Sequence, residues 1–101
     1  MLAKGTTPIH TFTLPFNTGI IKTVKVIYAQ KNAVLFEKEG EACNCSDNTV
    51  TVKLTQEETL KFDCRHSVQI QMRVLTVDGD ALASLVQYVP VCECLDSEVL
   101  E

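Results

Sequence analysis

Tryptophan is absent from this 101-residue chain, and four Phe with two Tyr make up its whole aromatic complement. A core must then be filled mainly by Val, Ile and Leu, and the β-branched residues among them favour a pleated, half-buried surface. Only four Gly and three Pro occur, so each breaker is informative. Basic runs are missing too: nine Lys and Arg lie scattered against thirteen acidic residues, for a net charge of −4. Without a basic footprint to release counterions, nucleic-acid binding is not expected. No apolar stretch approaches the roughly 18 residues of a membrane span. Met1–Pro8 lacks the apolar region of a secretory signal. These absences predict synthesis in the cytoplasm, where thiols stay reduced. Five cysteines, an odd number, also fit poorly with a closed disulfide framework.

What is present is alternation. The length suits one domain spanning 1–101, and 46% hydrophobic with 22% charged residues is ordinary for a globular fold. From Ser67 to Val74, apolar residues at 68, 70, 72 and 74 alternate with polar ones. That period of two specifies a strand with one dry and one wet face, in a register that cannot slip cheaply. The remainder of the chain supplies partners for it. Thr7–Phe16 predicts a first strand, with Phe12 and Leu14 inward and Pro8 and Pro15 at its ends, as suits an edge. Ile20–Gln30 predicts a second, with Val24, Val26 and Tyr28 on one face, ending at a hairpin through Lys31-Asn32. Ala33–Lys38 follows, with Val34 and Phe36 on one side, and Glu39-Gly40-Glu41 breaks it. Thr49–Leu54 alternates again after the turn residues Ser46-Asp47-Asn48.

Thr55–Thr59 carries the only helical signal, with Thr55 as cap and Glu58 completing a capping box. After the organising strand, Asp78-Gly79 predicts a hairpin turn with Ala81–Val89 returning antiparallel. Residues 1–6 and 96–101 are expected to be loosely ordered. About seven short strands with one helical crossover near 55–59 predict an all-β fold, an antiparallel two-sheet sandwich, immunoglobulin-like in strand number. A small barrel is the alternative.

The cysteines are the main candidates for chemistry. Cys43 and Cys45, like Cys92 and Cys94, are two apart, so in strands each pair shares a face. Zinc takes four soft ligands in a tetrahedron, and Cys64 or His66 could replace one. A single intervening residue departs from the usual knuckle spacing, and free cysteine commonly behaves as a small buried hydrophobe. Cys64-Arg65-His66 places a thiol and an imidazole on one strand face, as a cysteine hydrolase would need. No orienting Asp or Asn, oxyanion hole or glycine elbow accompanies them, and a loop cysteine ahead of the strand is the stronger reading. Asp47, Asp78 and Asp80 are explained by turn chemistry and lack the further carboxylates of a calcium loop. Glu57 and Glu58 diverge by about 100° on a helix and read as a solvated face favourable to its start. His10 reads as an ordinary residue of the first strand. No catalytic residue and no cofactor is expected.

Several segments together carry a resemblance: Thr11–Phe16, Ile27–Gln30, Leu54–Thr59, Val68–Thr76 and Gly79–Ser84. The chain resembles, from about Thr7 to Val99, small, largely uncharacterised proteins encoded among prophage structural genes of anaerobic Gram-positive bacteria. In layout it is also similar to the sandwich modules of phage tail and baseplate proteins. The resemblance implies a non-enzymatic structural or assembly module, made in the bacterial cytoplasm and destined for the virion. Its partners would be other virion proteins or copies of itself, with no nucleic acid and no membrane. It supplies no catalytic motif, and the paired cysteines are not a fixed feature of that group. A cytoplasmic zinc-stabilised binding domain using Cys43, Cys45, Cys92 and Cys94 is the alternative.

Overall fold

In the computed structural model, residues 2–96 and 98–101 are described; Met1 and Ser97 lie outside them. The strands are β1 (Leu2–Ala3), β2 (Ile9–Thr13), β3 (Ile21–Gln30), β4 (Ala33–Glu39) and β5 (Cys43–Ser46). After them come β6 (Thr49–Lys53), the helix α1 (Gln56–Leu60), β7 (Val68–Thr76), β8 (Ala81–Ala83), β9 (Gln87–Val89) and β10 (Val91–Cys92). One sheet has the order β2-β6-β5, and the other β4-β3-β7-β8 with β9 also on β7. The chain is therefore an all-β sandwich. Its smallest extent, 17 Å, is the thickness of two facing sheets set about 10 Å apart.

Alternation decides which side chains fill the space between the layers. Val24, Val26 and Tyr28 of β3 meet Val68, Ile70, Met72 and Val74 of β7 on one layer. Phe12 of β2, Cys43 of β5 and Val50 and Val52 of β6 close the core from the other. β3 and β7 pair antiparallel over most of their length and form the spine. The dry face of β7 extends one step past the expected strand, to the buried Thr76.

Local chemistry explains most boundaries. Lys31 and Asn32 both take positive φ, 53° and 62°, giving the two-residue turn that matches strand twist. Gly40 (φ 61°) opens the 3-10 turn Gly40–Ala42 that carries the chain from β4 in one sheet to β5 in the other. Thr55 caps α1: its side chain accepts from the Glu58 N–H, and the Glu58 carboxylate accepts from the Thr55 N–H. The expected capping box is thus present. Gly79 (φ 91°) forms the β7–β8 turn, closed by the Thr76 N–H to the Asp80 carbonyl at 2.9 Å.

Four expectations need correction. The ten strands among the described residues exceed the seven or so expected, because the last return is split and the short β1 and β10 add to them. Those two, β1 and β10, form a separate parallel pair, Leu2 against Val91 and Ala3 against Cys92. Residues 1–6, expected to be loosely ordered, include Leu2, whose side chain is buried in the core cluster. At the other end, the Leu100 N–H and carbonyl both bond the Gln56 side chain.

Third, Val34 and Phe36 do not share a face. A register shift between Tyr28 and Ala29 sets Phe36 opposite Tyr28 and Val34 opposite Ala29, leaving Leu35 as the extra residue. Phe36 packs on the core while Val34 is exposed. Fourth, Ala81–Val89 is not one strand. Ser84 Oγ accepts the Met72 N–H at 3.0 Å in place of a ladder carbonyl. Pairing then resumes one residue out of step, with Gln87 opposite Ile70. The intervening Leu85 and Val86 bulge outward, the usual consequence of one extra residue.

Candidate functional site

The two layers are joined on one side by the Gly40–Ala42 turn and stand open on the other. The open side is bounded by β2, the edge of the smaller sheet, and β8, an edge of the larger. Between them lies a groove of about 410 Å³, floored by Phe12, Leu14, Phe16, Met72, Val74 and Leu82. Thr11, Thr13, Ser84 and Gln87 supply its polar rim, and no residue lining it is ionisable. The cause lies in the sequence: no Asp, Glu, Lys or Arg occurs between Lys4 and Lys22, a segment that contains all of β2.

Register fixes which backbone groups face outward. The Leu54 N–H donates to the Pro8 carbonyl and the Leu14 N–H to the Asn48 carbonyl, at 3.0 and 2.7 Å. Between these two, His10–Val52 and Phe12–Val50 are the closely bonded antiparallel pairs. The N–H and carbonyl groups of Ile9, Thr11 and Thr13 therefore point away from β6, along a free edge. On the opposite rim, the Ser84 N–H reaches the Met72 carbonyl, so Leu82 bonds β7 while Ala81 and Ala83 present theirs outward. Beyond the rim the β8–β9 edge exposes Leu82, Leu85, Val86 and Tyr88, with Leu85 89% and Tyr88 67% accessible. The groove combines buried-type side chains with unpaired strand edges.

At the far end of the sandwich lies a closed polar–aromatic cluster. Tyr28 is fully buried, stacks on Phe36 at 4.9 Å and on His10 at 5.7 Å, and its hydroxyl meets His10 Nδ1 at 2.7 Å. Burial, with Cys43 and Glu58 nearby, pushes the Tyr28 hydroxyl far above its ordinary value of 10.0. Burial likewise holds the His10 imidazole below its ordinary value of 6.5. Both groups are therefore held neutral at physiological pH. Lys38 on β4 grips the Glu58 carboxylate with bonds of 2.8 and 2.9 Å. Burial alone would raise the Glu58 pKa, but the bonds from Lys38 and Thr55 leave it lowered. Glu57 is exposed as expected, whereas Glu58 is no part of a solvated face. The cluster ties α1 and both sheets together without a reactive group left unsatisfied; it is architecture.

The sequence candidates are dispersed. Cys43 is buried, its Sγ donating to the Lys38 carbonyl at 3.3 Å. Burial, then the neighbouring Cys45, pushes its thiol up, away from the thiolate a metal or nucleophile needs. Cys45 is exposed beside it, on the same strand face. Cys92 lies on β10 opposite Ala3, and Cys94 sits over Gly5, close to Leu60. Among the described residues no three His, Cys, Asp or Glu side chains converge in a metal-binding group. The four zinc candidates are thus not brought together.

Cys64 and His66 fall in a turn ahead of β7, as the loop reading of Cys64 expects, and the shared strand face a hydrolase would need is not formed. The His66 N–H closes that turn on the Asp63 carbonyl at 3.3 Å. Arg65 folds back onto the Asp63 carboxylate, and its hydrogen bonds hold that group well below the usual carboxylate range. Gln30, buried at the end of β3, pins this loop by bonding the Asp63 N–H and the Asp63 and His66 carbonyls. Nothing in the sequence pattern singles out Gln30, because its partners are backbone groups some thirty residues away. Asp78 and Asp80 are exposed turn residues, and Asp47 (φ 52°) occupies the β5–β6 turn.

No helix among the described residues is long and apolar enough to cross a membrane. No family model, no curated protein and no solved structure matches this chain.

Proposed function

We propose that the protein is a non-enzymatic structural or assembly module of a phage or prophage, acting through protein–protein contacts at the open side of its sandwich. The observation that carries this reading is the charge-free apolar groove flanked by the unpaired edges of β2 and β8. An unpaired edge is a template for another strand, and natural sheets usually blunt it with charge, proline or a bulge. Where main-chain groups and side-chain pockets lie together, strand addition gives both affinity and selectivity. The exposed Leu85 and Tyr88 extend the same surface with the apolar and aromatic character of a contact site. The resemblance to prophage structural-region proteins supports the phage setting, with synthesis in the bacterial cytoplasm and other virion proteins or further copies as partners.

Glutamate at Leu85 and Tyr88 tests this reading, because both side chains are exposed and their replacement leaves the core intact. Sedimentation of the wild type with the purified products of neighbouring genes should show association that the double variant loses. A wild-type chain that stays monomeric and binds none of those products contradicts the reading.

A further inference from the structure

We propose that the free edge of β2 pairs antiparallel with β2 of a second copy of this chain, making a two-fold dimer whose smaller sheets run on as one. This proposal rests on the interaction reading above and names its partner.

Each outer edge strand treats its exposed backbone differently. β4 carries Glu37, Lys38 and Glu39, β5 is four residues long, and β8–β9 is interrupted by the bulge at Leu85 and Val86. Charge, shortness and bulges are the devices that keep edges apart. β2 has none of them: Ile9–Thr13 is regular, uncharged and paired without a register shift. Pro8 does not protect it either, because residue 8 shares the inward-facing phase of His10 and Phe12, and its carbonyl is spent on Leu54.

The register of β2 is self-complementary. Outward N–H and carbonyl groups come from Ile9, Thr11 and Thr13. A two-fold axis beside Thr11 sets Thr11 against the copy's Thr11 and Ile9 against its Thr13. Every one of these is then a closely bonded antiparallel pair, each residue giving one N–H and one carbonyl across the junction. Any other phase that is off by one residue would face outward groups with inward ones.

The side chains fit the same arrangement. Homotypic pairing would place a charge near its own like, and β2 has no Lys, Arg, Asp or Glu to repel. On the outer face, the exposed Ile9 gains the methyl of Thr13, and the two Thr11 side chains meet as a cross-strand threonine pair. On the inner face, the copy continues the run of His10 and Phe12 beside the groove. The groove then lies between four strands and not at an open side. A closed isologous contact of this kind stops at two copies, in contrast to the filaments that head-to-tail edge pairing produces.

Thr11 is exposed and its N–H has no partner among the described residues, so it can be changed without touching a bond they make. Analytical ultracentrifugation of wild type, T11K and T11P tests the arrangement, with the fold of each chain checked by circular dichroism at low concentration. The expected result is a wild-type dimer that dissociates at least tenfold more readily in T11K, with a monomer fold unchanged in all three. In T11P the lost N–H and the ring at the axis should have the same effect. Wild-type self-association unaffected by either substitution overturns the β2 junction, while leaving contact through another edge standing. A monomeric wild type that binds a neighbouring gene product also overturns it without overturning the interaction reading.

Discussion

His10 Nδ1 and the Tyr28 hydroxyl lie 2.7 Å apart, a hydrogen bond that spans the interior from β2 to β3. It is a polar link between two largely apolar layers, and it makes the fold sensitive to acid. The His10 pKa is lowered by burial, so the unfolded chain binds a proton that the folded chain resists. Stability from this site is complete above the ordinary histidine value of 6.5 and is lost as pH falls from there through the folded value. Urea unfolding at pH 7.5 and 5.5 should show lower stability at the acid value, and H10N should flatten the difference. Y28F, which strands the imidazole, should cost about 1–2 kcal/mol at neutral pH.

A second acid window belongs to Glu58. Its lowered pKa means that stability is present above the ordinary value of 4.5 and is lost as pH falls below it. The carboxylate does two jobs, capping α1 and holding Lys38. E58Q keeps the cap, since glutamine also closes a capping box, and loses the charge. It should cost about 2 kcal/mol, the worth of hydrogen bonds to a charged group. E58A should cost about 1 kcal/mol more, for the lost cap. Equal losses in chemical denaturation would show that the ion pair and not the cap dominates.

Thr59 fastens the N-terminal segment. It is fully buried; its hydroxyl donates toward the Thr6 carbonyl at 2.9 Å and accepts the Thr6 N–H at 3.1 Å. T59V keeps the shape and removes both bonds, and should lower stability by about 1–3 kcal/mol. Amide exchange at Thr6 and Leu2 should quicken in that variant before exchange in β3 and β7 does, because this tie helps β10 and the burial of Leu2 hold β1 in place.

Thiol labelling separates the cysteines by environment. Cys45, Cys92 and Cys94 are exposed and should react first with a small alkylating reagent at neutral pH. Cys43, buried and with its thiol pushed up, should react last and only as fast as the chain opens. Near-stoichiometric zinc in protein purified without chelator, with melting lowered by chelation, would contradict the dispersed placement of Cys43, Cys45, Cys92 and Cys94.

Where the pattern is strictly local, the sequence is a faithful guide. The dry face of Val68–Val74, the capping box at Thr55 and Glu58, and the turns at Asn32 and Gly79 all follow from residue spacing alone. The misses are non-local. Leu2 and Val91 form a two-residue parallel contact across nearly the whole chain, too short to leave a period. The bulge opposite Tyr28 reverses the faces of Val34, and Ser84 splits a strand with a single hydroxyl; neither changes hydrophobic spacing enough to be read. The groove between β2 and β8 is a property of sheet order. Phe12, Leu14, Met72 and Val74 of its floor are expected on dry strand faces, and only the topology sets them beside an open side.

The central claim is that this open side is a contact surface, with β2 as its junction. Static light scattering over a wide concentration range measures that most directly. The account predicts a mass rising to twice the 11.2 kDa of the single chain and returning to the single-chain value in T11K at the same concentration. A mass fixed at 11.2 kDa up to millimolar wild-type protein would contradict it.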